Sequence, residues 1–204
     1  MEGKNIGCVI MASGISRRFG SNKLLAHLDN NTLIFDKVLE ATDTPSFANR
    51  VVITRHKEIK EICNEKNVRA FCHCYPNQNE TIRLGITILL KHTPNLFGCL
   101  YTVSDQPFLT KKSLETMVKT FKEINSPDAI CRLSYNGIPG NPVLYGSEYF
   151  SELATIPSGF GGGYILKKYP EKITLIPAEN EMELFDIDTP TDLQKAVEYN
   201  SRLH

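Results

Sequence analysis

"IGCVIMASGISRRFGSNKLL", Ile6 to Leu25, is the stretch on which the fold turns. Its first six residues form a short, continuous apolar run closed by small residues, the pattern of a strand buried on both faces. Ala12, Ser13 and Gly14 then carry little side chain, so backbone amides there can approach a phosphate or a base closely. Arg17, Arg18 and Lys23 follow before the apolar pattern resumes. A buried strand that feeds a small-residue, cationic loop is how an open α/β sheet cradles phosphate at the carboxyl end of its first strand. The spacing excludes two other phosphate loops. Five residues separate Gly14 from Gly20, and Lys23 does not follow Gly20 directly, so the Walker pattern is broken. Only two glycines are present where a dinucleotide fingerprint needs three.

Outward from that stretch, strands and helices alternate. "TLIFDKVLEA", "KEIKEICNEK" and "TIRLGITILLKH" have apolar residues at helical spacing, while "RVVIT", "VRAFCH" and "CLYTVS" read as strands. The alternation predicts an α/β fold, a Rossmann-like three-layer α/β/α sandwich with a mostly parallel sheet. Ser113 is read as opening a further helix with Leu114, Met117, Val118, Phe121 and Ile124 on one face. "DAICRLSY" and "IPGNPVLYG" are extended, and the prolines of the second suit a hairpin or loop better than a central strand. "KITLIPA" and "LFDID" read as strands. "TPTDLQKAVEYN" is a helix capped by Thr189, with Pro190 in its first turn and Asp192 near the orphan amides.

The 204 residues, 41% of them apolar, can bury one sizeable core, and a single domain spanning 1–204 is expected. Lys plus Arg and Asp plus Glu both number 23, so no basic excess points to nucleic acid or acidic lipid as a partner. No apolar run is long enough to cross a bilayer, and "MEGKN" lacks the apolar segment of a signal peptide; a cytoplasmic location is expected. The six cysteines are scattered, as reduced core residues would be. In "CHC", a strand would point His73 away from Cys72 and Cys74, so no metal site is expected there.

Asp105 falls where "CLYTVS" ends, on the rim that carries the first loop, and so is a candidate Mg²⁺ ligand. Asp186 and Asp188 sit at the end of another expected strand, where alternation would put both on one face, and either can complete the site.

"MASGISRRFGSNKLL" resembles the N-terminal signature of the nucleotidyltransferases that attach a nucleotide to molybdopterin. "VSDQPFLT", "GIPGNPVLY" and "DIDTPTDL" resemble that family's later motifs in the same order, over nearly the full chain. The resemblance implies a Mg²⁺-dependent enzyme that moves a nucleoside monophosphate from a triphosphate to a phosphate-bearing acceptor. It implies Lys23, Arg18 and Asp105 as catalytic residues, with Asp105 and Asp188, or Asp186, on the metal. Met11, Ala12, Ser13, Gly14, Arg17, Lys23, Asn77, Thr81 and Arg83 are the implied nucleotide contacts. Molybdopterin is the implied acceptor, and transient contact with a molybdoenzyme or its chaperone is the implied partnership. Ser13 stands where the cytidylyl enzymes have alanine and the guanylyl ones glycine. A side chain there crowds a purine, which favours CTP over GTP. Ser104 replaces a glycine, Asn141 a histidine, and "SGFGGGY" a G-D-x-G-A-R segment. These departures leave open a guanylyltransferase, a sugar- or alcohol-phosphate nucleotidyltransferase, and a non-catalytic nucleotide sensor.

Overall fold

A computed structural model describes residues 5–203. The first strand, β1 (Asn5–Ala12), lies inside a seven-stranded sheet of order β3-β2-β1-β4-β6-β5-β7. Its alternation explains why it is central. Ile6, Cys8, Ile10 and Ala12 enter one core cluster and Val9 enters the other, all fully buried. β2 (Asn49–Thr54) and β4 (Leu96–Val103) flank β1 in parallel, β3 (Ala70–Cys72) adds to β2, and β7 (Ile173–Pro177) runs parallel to β5 (Ile130–Tyr135).

Among the described residues, only β6 (Ile138–Gly146) runs against its neighbours. The prolines point to a hairpin or loop rather than a central strand; the hairpin forms, but β6 lies between β4 and β5 in the sheet. The physical reason is where the pairing falls. β4 pairs with β6 only from Val143 to Gly146, so Pro139 and Pro142 lie beyond the part bonded on both sides.

Helices cover both faces. α1 (Ile34–Ala41), α2 (Lys57–Glu65), α4 (Lys111–Ile124) and α7 (Pro190–Ser201) pack on the Ile6, Cys8, Ile10 face. α3 (Gln78–His92), α5 (Phe150–Ala154) and α6 (Gly163–Lys168) pack on the Val9 face. The result is the three-layer α/β/α sandwich. α3 approaches β1 closely: a Cβ on Gly85 would come within 2.6 Å of Val9 Cγ1. α4 begins earlier than its apolar face suggests, because the Thr110 side chain, rather than Ser113, caps it and accepts from Ser113 N at 3.1 Å. α7 starts as its sequence indicates, with Thr189 and Asp192 in a reciprocal capping box.

The segment "LFDID" is not a strand. Glu181–Leu184 is a 3₁₀ turn, and the chain from Phe185 to Asp188 is extended without a sheet partner. Ile187 is fully buried in the core, and its N–H donates to Asp105 O at 3.0 Å. No helix among the described residues is long and apolar enough to cross a membrane.

Candidate active site

The site lies where the order of the sheet reverses. The chain runs outward from β1 through β2 to β3, then returns to place β4 on the other side of β1. The carboxyl ends of β1 and β4 are therefore adjacent, with Met11 opposite Val103, and the loops that follow diverge around a crevice.

The loop after β1 is pinned from both sides. Ser104 Oγ donates to Met11 O at 2.8 Å, Thr54 Oγ1 to Ala12 O at 2.8 Å, and His56 Nε2 to Gly14 O at 2.8 Å. Ser16, at φ 48°, accepts through its carbonyl from Phe19 N and Gly20 N, closing a turn, and Gly20 takes φ 85°. Asn22 caps a short 3₁₀ turn, Lys23–Leu25, by accepting from Leu24 N at 3.2 Å. Leu24 anchors that turn in the core and Lys23 extends into the crevice, where it is 94% withdrawn from solvent, its relative exposure being 6%.

Lys23 Nζ lies 2.6 Å from Asp105 Oδ2 and 2.9 Å from Asp188 Oδ1, and Arg18 Nη2 lies 2.7 Å from Asp188 Oδ2. Burial works against the Lys23 charge, but Asp105 and Asp188 outweigh it and raise the ammonium pKa. The hydrogen bond from Lys23, with Arg18 adding to it, lowers Asp188. Asp186 moves the other way. Burial, reinforced by repulsion from Asp105 and Asp188, raises it to about 6. Three carboxylates thus share this corner with one buried ammonium.

That corner has unmet demand for a cation. Asp105 Oδ1 is buried with no hydrogen-bond partner, and Asp186, raised chiefly by burial, is raised further by the two carboxylates beside it. No ready-made cage of three or more His, Cys, Asp or Glu ligands is present among the described residues. Mg²⁺ does not require one: it is held by one or two carboxylates, with water and substrate phosphates completing its shell. The donor set therefore fits a divalent cation such as Mg²⁺ that keeps part of its shell for water or phosphate.

A cleft of about 260 Å³ brings together Met11, Ser13, Gly14, Lys23, Asn77, Thr81 and Asp105 among the residues singled out from the sequence. Asp188 stands at its acidic end through its bond to Lys23, Arg18 through its bond to Asp188, and Asp186 through its interaction with Asp105 and Asp188. The remaining three lie elsewhere. Ala12 is fully buried, its side chain turned into the core beneath the loop, and Arg17 is exposed and outside the lining. Arg83 is turned away, with Nη2 2.6 Å from Glu80 Oε2 and the guanidinium over the Tyr75 ring. It occupies an intrahelical ion pair because Glu80 sits three residues before it.

Sequence reasoning gave no role to Arg55 and Gln78, which line the cleft, or to Ser104, His56 and His73, which brace it. Arg55 and His56 directly follow β2, so their position at a strand's carboxyl end was the available signal. His73 had none: β3 ends at Cys72, and the ring turns inward to lie 2.9 Å from Ser13 Oγ. Cys72 and Cys74 are exposed free thiols.

A second cleft of about 250 Å³ adjoins the first, sharing Met11, Gln78 and Val103, and is lined by Arg132, Asn141, Tyr145 and Gly162. The glycine-rich segment forms its edge, and at two of its glycines a side chain would have to displace Gln78 or Tyr145, whereas Gly163 has open space around it. A Cβ on Gly161 would stand 2.2 Å from Gln78 Oε1, and one on Gly162 would stand 2.9 Å from the Tyr145 hydroxyl.

A Rossmann-like sandwich with a cationic loop and acidic residues at its switch point has the architecture of a nucleotidyltransferase. Comparison with known proteins makes this specific: residues 8–173 match the family described as "MobA-like NTP transferase domain", and the chain belongs to that family. It is 26% identical over 200 residues to the molybdenum cofactor cytidylyltransferase of Escherichia coli (strain K12), covering 95% of this chain and 96% of that protein. Among solved structures, a nucleotidyl transferase from Methanothermobacter superposes with a TM-score of 0.81 at 16% identity, covering 99% of this chain and 100% of the other. Rv0371C of Mycobacterium tuberculosis H37Rv, in complex with manganese, superposes with a TM-score of 0.71 at 16% identity, covering 96% and 99%. At these identities the structural likenesses speak for the fold.

Proposed function

We propose that the protein transfers CMP from CTP to a terminal phosphate of a molybdopterin-type acceptor and releases pyrophosphate. The observation that carries this reading is Lys23, a buried ammonium held between Asp105 and Asp188 at the switch-point cleft. The cytidylyltransferase relative and the manganese complex of a structural neighbour support the nucleotide and the divalent metal respectively.

An acceptor phosphate oxygen attacks the α-phosphorus. A P–O bond forms there, the bond to the bridging oxygen of the β-phosphate breaks, and pyrophosphate leaves with the electron pair. A phosphate monoester is largely ionised at neutral pH, so no general base is required. Positioning and charge neutralisation make up the main task of the protein. Lys23 and Arg18 hold the β- and γ-phosphates as charge builds on them, releasing their carboxylate partners as they do so. When bound, Mg²⁺ on Asp105 and Asp188, with Asp186 the alternative second ligand, supplies further neutralisation of phosphate charge. The base lies at the Ser13, Asn77, Thr81 end of the cleft, away from Lys23. The acceptor enters by the adjoining cleft of Arg132 and Asn141, whose cation and amide suit an anionic group.

Ser13 supports CTP over GTP. Its hydroxyl is bound to Ile53 O at 3.1 Å and to His73, so swinging aside to admit a larger base would cost both bonds. Pyrophosphate release measured with each of the four nucleoside triphosphates and Mg²⁺, with and without molybdopterin, tests the reading. Release with CTP that depends on molybdopterin is expected. Release with GTP alone would overturn the choice of nucleotide, and no thermal shift with any nucleotide would overturn the function.

A further inference from the structure

The His73 imidazole has no place in the reaction above, yet it is woven into the wall of the cleft. Tyr75 N–H points at its Nδ1 at 3.2 Å, which makes that nitrogen an acceptor. The neutral ring must then carry its proton on Nε2. Burial, with the nearby Arg55 charge adding to it, lowers the His73 pKa and favours this neutral form. Nε2–H faces two hydroxyls, Ser13 Oγ at 2.9 Å and Thr81 Oγ1 at 3.3 Å. Ser13 in turn donates its own proton to Ile53 O at 3.1 Å.

Counting protons along this chain fixes what Ser13 can offer a ligand. Its hydrogen is spent on Ile53, and one lone pair is taken by His73. A single lone pair remains, on a residue that lines the cleft. Towards the base, therefore, Ser13 is an acceptor only.

We propose that His73 is a positioning residue that locks Ser13 as a hydrogen-bond acceptor for an exocyclic amino group of the base, so that the site takes cytosine and rejects uracil. The inference rests on the reading that this cleft holds a nucleoside triphosphate. Cytosine carries an amino donor at the position where uracil carries a carbonyl oxygen. A carbonyl there would face a second acceptor, leaving both groups unpaired in a partly buried wall. Without His73 the Ser13 hydroxyl loses the donor that holds it in its bond to Ile53 O, so it can turn into the cleft and donate to the uracil carbonyl as well as accept from cytosine.

The test is calorimetric titration with CTP and with UTP in Mg²⁺, which needs no acceptor. The unaltered protein is expected to bind CTP on the order of tenfold more tightly than UTP. His73→Ala and Ser13→Ala should each bring that ratio close to one, chiefly by weakening CTP. His73→Gln should restore it, because the Gln amide offers N–H in place of Nε2–H. In the Ser13→Ala background, His73→Ala should change the ratio no further, which separates positioning of Ser13 from general support of the wall. Equal binding of CTP and UTP by the unaltered protein, or a His73→Ala variant that keeps the ratio, would overturn the inference while leaving nucleotide binding standing. Failure to bind any triphosphate would overturn the functional reading itself, and this inference with it.

Discussion

Lys23 Nζ stands 2.6 Å from Asp105 Oδ2, and the two residues reach each other from loops that follow different strands. β1 delivers one and β4 the other, and the pairing of Met11 with Val103 sets the distance between their loops. The same ammonium also binds Asp188, which arrives just ahead of α7. Three remote parts of the chain thus converge on one charge.

Replacing that charge tests its role. Lys23→Ala is expected to lower pyrophosphate release by about 100-fold or more, the scale of losing one preorganised charge-stabilising group. It should also cost about 1–3 kcal/mol of stability, because Asp105 and Asp188 lose their partner while keeping partial access to water. Steady-state rates and urea denaturation measure the two effects separately. Near-normal turnover would remove Lys23 from the machinery.

Asp105 is the residue best placed to reveal the metal, since its Oδ1 is buried without a partner. Chelation of divalent cations is expected to bring pyrophosphate release to background, and Mg²⁺ or Mn²⁺ to restore it. Asp105→Asn should reduce release by about 100-fold or more, consistent with metal charge stabilisation worth several kcal/mol. A variant that retains full Mg²⁺-dependent activity would place the metal elsewhere.

Glu183 is fully buried and governs how the acidic segment is docked. Its Oε2 accepts from Thr110 N at 3.1 Å and Thr110 Oγ1 at 2.9 Å, and its Oε1 accepts from Glu179 N at 2.8 Å. A carboxylate at the N-terminus of α4 is also favoured by the helix dipole. Glu183→Ala is expected to destabilise by about 2–4 kcal/mol, since it strands buried donors and leaves a cavity. The lost anchor should also loosen the approach of Asp186 and Asp188. Chemical denaturation checks the first effect and Mg²⁺ affinity the second; a stability change within about 0.5 kcal/mol, the range of an unremarkable surface substitution, would refute the structural role.

Gly85 lies inside α3, where alanine would ordinarily improve a helix by about 1 kcal/mol. Here a Cβ would meet Val9 Cγ1 at 2.6 Å and Cγ2 at 2.8 Å. Gly85→Ala is therefore expected to destabilise by about 1–3 kcal/mol. Adding Val9→Ala should recover part of the loss, a non-additivity that thermal unfolding of the single and double variants would expose.

The alternation of Ile6, Cys8 and Ile10 with Val9 was written in the sequence, as were the helical faces and the Thr189 cap, because such signals depend on residues a few positions apart. The small residues and cations of the first loop were equally plain in the sequence, and the structure brings Ser13, Gly14 and Lys23 of that loop into one cleft. The interior position of β6 was hidden because its prolines are read one residue at a time, whereas their harmlessness depends on where β4 stops pairing. The extended segment from Phe185 to Asp188 was misread as a strand because an unpaired extended chain has the same period of two.

The sequence by itself determined the layers, the central strand and the set of charged residues available for chemistry. Only tertiary structure decided which of them meet, because strand order is set by packing across the whole sheet. That packing brought Lys23 to Asp105 and Asp188, left Arg83 with Glu80, and turned His73 inward onto Ser13. Proton by proton, the roles of buried polar groups follow from their partners, and those partners come from remote parts of the chain.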